Sequence, residues 1–260
     1  MNHRLISSFV ARSKNWKMRL WGLSSYARTF RSLRGKYAGK RCFIIGNGPS
    51  LCAEDLDKLT GEYSFGFNRI YKIFDQTSWR PTFYCSEDTK MLGGCLDEVS
   101  DLDIKYKFIP YQLALWCDMK VRGATYFLVN QKALAPEEKH FSPSAQIGFS
   151  TGNTVAYTAM QMAVYMGFKE IYLLGIDHSF ATSVNDAGEI IHDPSAKDYF
   201  CADYNEDKDE LYIPNLDLST IAYLAARAYA DLHGIKIVNA TRGGKLKVFP
   251  RVDFDLLFAQ

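Results

Sequence analysis

The chain has 260 residues, 47% apolar and 23% charged, which allows a sizeable core and excludes a disordered or fibrous protein. No apolar run reaches the ~18 residues of a membrane-spanning helix, and charges stand where a secretory leader needs its apolar stretch. The net charge of +2 conceals an asymmetry: eleven of the 31 Lys and Arg lie in the first 41 residues, ahead of the first acidic residue, Glu54, leaving 20 against all 29 Asp and Glu.

Residues 1–40 read as a basic amphipathic helical arm. Phe9, Trp16, Leu23 and Phe30 recur every seven residues, with Arg12, Lys14, Lys17, Arg19, Arg28 and Arg31 around them, and Gly22 marks a break. Three partners for that stripe stay open: its own domain, a partner subunit of a homo-oligomer, or an anionic membrane with Trp16 and Trp21 at the headgroups. From Arg41 the pattern alternates. Strand-like runs are Cys42–Ile45, Tyr63–Phe67, Pro81–Cys85, Tyr106–Ile109, Thr125–Val129, Ile171–Leu174 and Ile235–Val238. Helical runs are Ala53–Leu59, Asn153–Met166 and Leu218–His233. Strands alternating with helices predict an α/β, Rossmann-like domain over 41–260, with a largely parallel sheet and helices on both faces. The polar, acidic stretch 181–213 reads as an excursion beside the site, in the manner of a lid. The tail, Leu246–Phe258, reads as a short strand and a closing helix. Six cysteines without Cys-x-x-Cys spacing point to a reducing compartment.

Gly46-Asn47-Gly48-Pro49-Ser50 runs from the first strand towards a helix. Glycines let backbone approach a ligand, a helix start offers free N–H groups to an anion, and Ser50 is placed to cap that helix. The loop lacks both the lysine of an ATP-gripping loop and the third glycine of a dinucleotide loop, where Leu51 stands. Ser150-Thr151-Gly152-Asn153 opens the next long helical run in the same way. Asn68 follows the second strand, and Ser86 and Asp88 follow the third, as polar groups suited to sugar hydroxyls. Asp177 and His178 end the strand Ile171–Leu174, an active-site position; His178 is a candidate general base and His192 its rival. Arg242, after the last strand, is a candidate for a carboxylate or phosphate. Three Asp-x-Asp pairs (55/57, 101/103, 253/255) read as charged helix faces or as divalent-ion holders.

These residues resemble a known group. Gly46–Leu51, Asn68 and the run from Thr151-Gly152 to Gly175-Ile-Asp177 are similar to the bacterial sialyltransferases of glycosyltransferase family forty-two and to the broader MptE-like superfamily. That superfamily includes archaeal 6-hydroxymethylpterin diphosphokinases and flagellin-modifying glycosyltransferases. Gly175–Phe180, Asp198–Phe200, Pro214–Leu216 and Asn239–Arg251 resemble MptE-like proteins of bacterial surface-polysaccharide loci. The resemblance implies that Gly46–Ser50, Asn68 and Ser150–Asn153 bind CMP. It also marks departures. The family's base histidine is absent from Ile213-Pro-Asn-Leu216, and its phosphate-holding tyrosines have no clear match, Ser179 lying near one position and Tyr199 or Tyr204 being substitutes.

The expected activity is transfer of an acidic sugar, sialic acid, Kdo or similar, from a CMP-sugar to a lipid-linked or surface-polysaccharide glycan, with no metal or cofactor required. The alternative is an MptE-like diphosphokinase moving pyrophosphate from ATP to a pterin alcohol, with Mg²⁺ held by Asp88 and Asp177. The expected setting is cytoplasmic, peripheral on the inner face of the membrane, with no nucleic acid among the partners.

Overall fold

The computed structural model describes residues 3–130, 140–185, 187–205 and 212–259, giving backbone alone for residues 3–10. In chain order the elements are α1 (His3–Arg19), α2 (Ser25–Leu33), β1 (Arg41–Ile45), α3 (Ala53–Asp57), β2 (Tyr63–Phe67), β3 (Phe83–Cys85), α4 (Thr89–Gly93), α5 (Leu96–Asp101) and β4 (Tyr106–Pro110). They continue with α6 (Tyr111–Trp116), β5 (Ala124–Phe127), α7 (Val155–Tyr165), β6 (Glu170–Leu174), β7 (Thr182–Val184), β8 (Ile190–His192), α8 (Leu216–Leu232) and β9 (Lys236–Asn239).

Seven strands form one parallel sheet in the order β5-β4-β3-β2-β1-β6-β9. Its central strands are buried on both faces, so they read as unbroken apolar runs rather than as alternating ones. The two-residue period still decides which layer each side chain joins. Cys42 and Ile44 of β1 enter one cluster with α2, α7 and α8, whereas Phe43 and Ile45 enter the other with α3 to α6. In β6, Ile171 and Leu173 join the first cluster, and Tyr172 and Leu174 the second. The fold is α/β and Rossmann-like.

The arm differs from its expected stripe. A 3₁₀ turn at Leu20–Leu23, containing Gly22, separates α1 from α2. Ser24 caps α2 by accepting from the Ala27 N–H at 3.2 Å. Phe30 is fully buried, with ring centroids 5.2 Å from Phe108 and 5.7 Å from Phe149. Trp16 and Leu23 are 63% and 75% exposed, so the heptad positions do not share one face, and the side chain of Phe9 lies outside the described residues. Trp21 is buried and its indole donates to the Tyr126 carbonyl at 2.8 Å. From Trp21 onwards the arm therefore belongs to the same core as the sheet, rather than to a separate unit ending at residue 40. The tail also departs from its expectation: it forms a single bridge, Asn239 to Arg251, and a 3₁₀ turn at Asp255–Leu257.

Candidate functional site at the topological switch point

From β1 the chain winds outward through β2 to β5, then returns to β6 on the other side of β1. Crossovers on either side of such a point diverge at the carboxyl ends of the strands and leave a crevice. A cleft of about 490 Å³ occupies that place. Gly46, Asn47 and Gly48 reach it from β1, Asn68 from β2, and Asp177 and His178 from β6. The excursion 181–213 includes the antiparallel β7–β8 hairpin; its Tyr199, Tyr204 and Tyr212 wall the cleft.

The glycine loop is closed largely on its own chain. The Gly46 N–H donates to the Leu174 carbonyl at 2.8 Å, and the Gly48 N–H to the Gly175 carbonyl at 3.0 Å. A Cβ on Gly46 would stand 2.3 Å from the Gly175 oxygen, and one on Gly48 1.9 Å from Asp177 Oδ2. The glycines thus permit close approach of two strand-end loops. Ser50 does not cap a helix. Its hydroxyl donates to Asp177 Oδ2 at 2.7 Å, while the five-residue α3 starts at Ala53 behind Cys52. Burial raises the Asp177 carboxyl above its usual range, against the lowering effect of the Ser50 bonds. Pro49 and Ser50 lie outside the cleft lining. Asn47 differs: its Nδ2 donates to the Phe67 carbonyl at 3.1 Å, while its Oδ1 is buried with no described partner. A buried acceptor without a described partner has room for one more donor, such as a water or a ligand brings.

The helix whose N-terminus opens on the cleft is α7, through Thr151, Asn153, Thr154, Val155 and Ala156. Asn153 adopts φ 59°, a left-handed turn that asparagine tolerates, and Thr154 takes the N-cap position without a side-chain cap bond. Free N–H groups and the positive end of an eleven-residue dipole therefore meet the cleft. Ser150 and Gly152 act behind it. Ser150 is buried, its N–H donating to Gln161 Oε1 and its carbonyl accepting from Gln161 Nε2, at 2.9 and 2.8 Å. At Gly152 a Cβ would meet the Tyr157 ring at 2.5 Å and Ala222 at 2.7 Å, so that glycine serves helix packing.

After β2, Asn68 stands at φ 48°. The buried Ser86 does not line the cleft; its hydroxyl donates to Asn68 Oδ1 at 2.9 Å and fixes the amide. Asp88 lines the cleft while one of its oxygens accepts from the Met91 N–H and caps α4. Glu87, between them, was not singled out by the sequence. It lines the cleft, and its only described donor is the Thr158 hydroxyl, 2.8 Å from Oε2. Burial pushes its pKa up to about 7; the Thr158 bond opposes the rise and Asp88 adds to it. The alternation of β3 carries the signal. Phe83 and Cys85 face the α7 layer, and Glu87 continues that face two residues on.

His178, at φ 54°, places Nε2 2.8 Å from the Thr220 hydroxyl, one turn into α8. Thr220 gives its single proton to the Leu216 carbonyl at 2.8 Å, so it accepts from His178 Nε2–H and leaves the lone pair on Nδ1. Burial lowers the His178 pKa against the pull of Asp217, keeping the ring neutral near pH 7. Ile213, Pro214, Asn215 and Leu216 line the cleft beside it, so a histidine from the β6 loop reaches the segment that lacks one. The rival His192 lies exposed on β8, 3.2 Å from the Thr182 hydroxyl, outside the cleft.

Tyr199 and Tyr204 stack with centroids 3.9 Å apart, and the buried Arg69 holds Tyr204 by donating from its backbone N–H to the phenol oxygen and from Nη1 to the carbonyl. Arg242 does not reach the cleft. Its guanidinium is taken up by Asp55 at 2.7 and 2.8 Å and by Asp255 at 2.9 Å. That network also accounts for two of the Asp-x-Asp pairs; in the third, Asp101 pairs with Arg122.

The sequence has no match among curated proteins. Among solved structures it is similar to the MAf glycosyltransferase from Magnetospirillum magneticum AMB-1, with TM-score 0.50 and 16% identity, over 87% of this chain and 38% of that one. The chain thus spans well under half of that protein's length, and at this identity the likeness is one of fold. The family model described as 6-hydroxymethylpterin diphosphokinase MptE-like matches residues 22–183, more than half of the sequence. The chain belongs to the MptE-like family.

Proposed function

We propose that the protein is a glycosyltransferase that takes a CMP-activated acidic sugar, of the sialic acid or Kdo class, into the switch-point cleft and passes the sugar to a glycan or lipid-linked acceptor. One observation carries this reading: a single cleft gathers the α7 N-terminus, the orphaned Asn47 Oδ1 and the neutral His178. The α7 start supplies N–H groups for the phosphate, with the Thr151 hydroxyl beside it. Asn47 Oδ1 suits the exocyclic amine of cytosine, and Asn68 offers its amide donors to the ribose or sugar. The acceptor oxygen forms a bond to the anomeric carbon as the bond to the phosphate oxygen breaks. CMP departs with that electron pair, and His178 Nδ1 takes the acceptor's proton.

The charge of the cleft bears on the donor. Glu87, Asp88, Asp177 and Asp198 line it, and among the described residues no Lys or Arg does. A donor with one phosphate meets less repulsion there than one with two, and a Glu87 that is half protonated near pH 7 lowers it further.

The same carboxylates favour a second reading, the Mg²⁺-dependent diphosphokinase. Among the described residues, however, no three His, Cys, Asp or Glu side chains gather as a metal site, and Asp177 and Asp88 already hold Ser50 and the α4 cap. Thermal shifts with CMP, CTP, ATP and UDP, with and without Mg²⁺, separate the two. Stabilisation by CMP in the absence of metal is expected; a shift with ATP alone that depends on Mg²⁺ selects the diphosphokinase.

A further inference from the structure

The basic arm has a use independent of the cleft's chemistry. Arg12, Lys17, Arg19, Arg28, Arg31 and Arg34 are exposed, and among the described residues the first basic side chain in chain order with a salt bridge is Arg41. Among the described residues, then, these exposed cations of the arm form no salt bridge. Trp16 and Leu23 of the arm and, outside it, Trp116 and Ile147 are exposed as well. Lys14 lies 5.0 Å over the Trp116 ring, which ties α6 to α1. Gly22 and Gln146, the neighbours of Leu23 and Ile147, border one cavity of about 260 Å³ that also carries Arg19 and Arg31 above the buried Trp21 and Phe30.

We propose that this face docks the protein peripherally on an anionic phospholipid surface. The Lys and Arg side chains meet lipid phosphates, Trp16 sits at headgroup level, and Leu23 and Ile147 enter the acyl boundary. Among the described residues no helix is long and apolar enough to cross a membrane. Exposed leucine and isoleucine beside cations suit a bilayer, which takes them into its acyl boundary, better than a duplex backbone, whose attraction is to charge.

The test is co-sedimentation of the full chain with vesicles of phosphatidylcholine, alone or with about a third phosphatidylglycerol, at low and high salt. Binding is expected to the anionic vesicles at about 0.1 M NaCl and to be weak on the neutral ones. Lys17→Glu with Arg28→Glu should lower it by at least about 25-fold, at roughly fivefold per charge. Trp16→Ser with Leu23→Ser should keep low-salt binding but lose it at about 0.5 M NaCl, where the apolar contact carries the load. These side chains are exposed, so the circular dichroism spectrum and Tm should match the parent. The proposal is overturned if neutral and anionic vesicles bind alike, if neither binds, or if the apolar variant binds like the parent at both salts. It is equally overturned if the charge-dependent partner is duplex DNA and not the vesicle.

Discussion

The loop after β1 and the loop before α7 look alike in sequence, each placing glycine and hydroxyl residues ahead of a helix, yet they do different work. The first turns its glycine N–H groups onto the end of β6 and gives Ser50 to Asp177, before a helix of five residues. The second anchors Ser150 on Gln161 and opens an eleven-residue helix on the cleft. A glycine shows that something comes close, not whether that something is a ligand or the chain itself. The same division separates His178, in the cleft, from His192, on the exposed hairpin.

Substitutions can break that division, beginning with the largest effect. His178→Ala is expected to lower turnover by about 10²–10⁴-fold while His192→Ala leaves it unchanged. Equal losses from both, measured with a CMP-sugar donor, would remove the distinction between the two histidines. Gly46→Ala forces a Cβ against the Gly175 carbonyl and should cost about 3 kcal/mol, or roughly 6–12 °C in Tm. An unchanged melting curve would mean that the two loops are not in contact.

Glu87 gives a pH signature. Its folded-state pKa of about 7 exceeds the ordinary carboxyl value of 4.5, so the folded state binds more protons between those values and loses stability as pH rises through them. Glu87→Gln carries no charge and still accepts from Thr158. It should match the parent near pH 4.5 and gain about 1–2 kcal/mol over it by pH 7, after discounting for the residue's partial exposure. A constant offset across that window in denaturant titrations contradicts the assignment. Smallest, Thr151→Ala should leave Tm unchanged and weaken CMP binding by about tenfold, the worth of one hydroxyl bond to a charged group. Calorimetry showing undiminished affinity would take Thr151 out of the site.

Much of the sheet was legible because central parallel strands are buried on both faces. All seven runs from Cys42–Ile45 to Ile235–Val238 coincide with strands to within one or two residues at each end. The helices α7 and α8 were legible for their length, whereas α4, α5 and α6, of five or six residues, are too short to show a period. The hairpin β7–β8 has three residues per strand and an exposed β8, and it left no pattern. In the site, Asn47, Asn68, Thr151, Asn153, Asp177 and His178 were readable as polar residues at strand ends or helix starts. Ser86, Ser150 and Ser50 have the sequence setting of ligand groups, but their partners are Asn68, Gln161 and Asp177, none of them marked by a local signal. Arg242 failed for the same reason, since Asp55 lies 187 residues away.

We propose above all that the nucleotide of the donor lies in the switch-point cleft with its phosphate at the start of α7. A crystal structure with CMP tests it most directly. Phosphate oxygens are expected within hydrogen-bond distance of the Thr151–Ala156 N–H groups or hydroxyls, and the cytosine amine on Asn47 Oδ1. CMP bound away from β1 and β6, or with its phosphate on the Gly46–Ser50 loop alone, would contradict it.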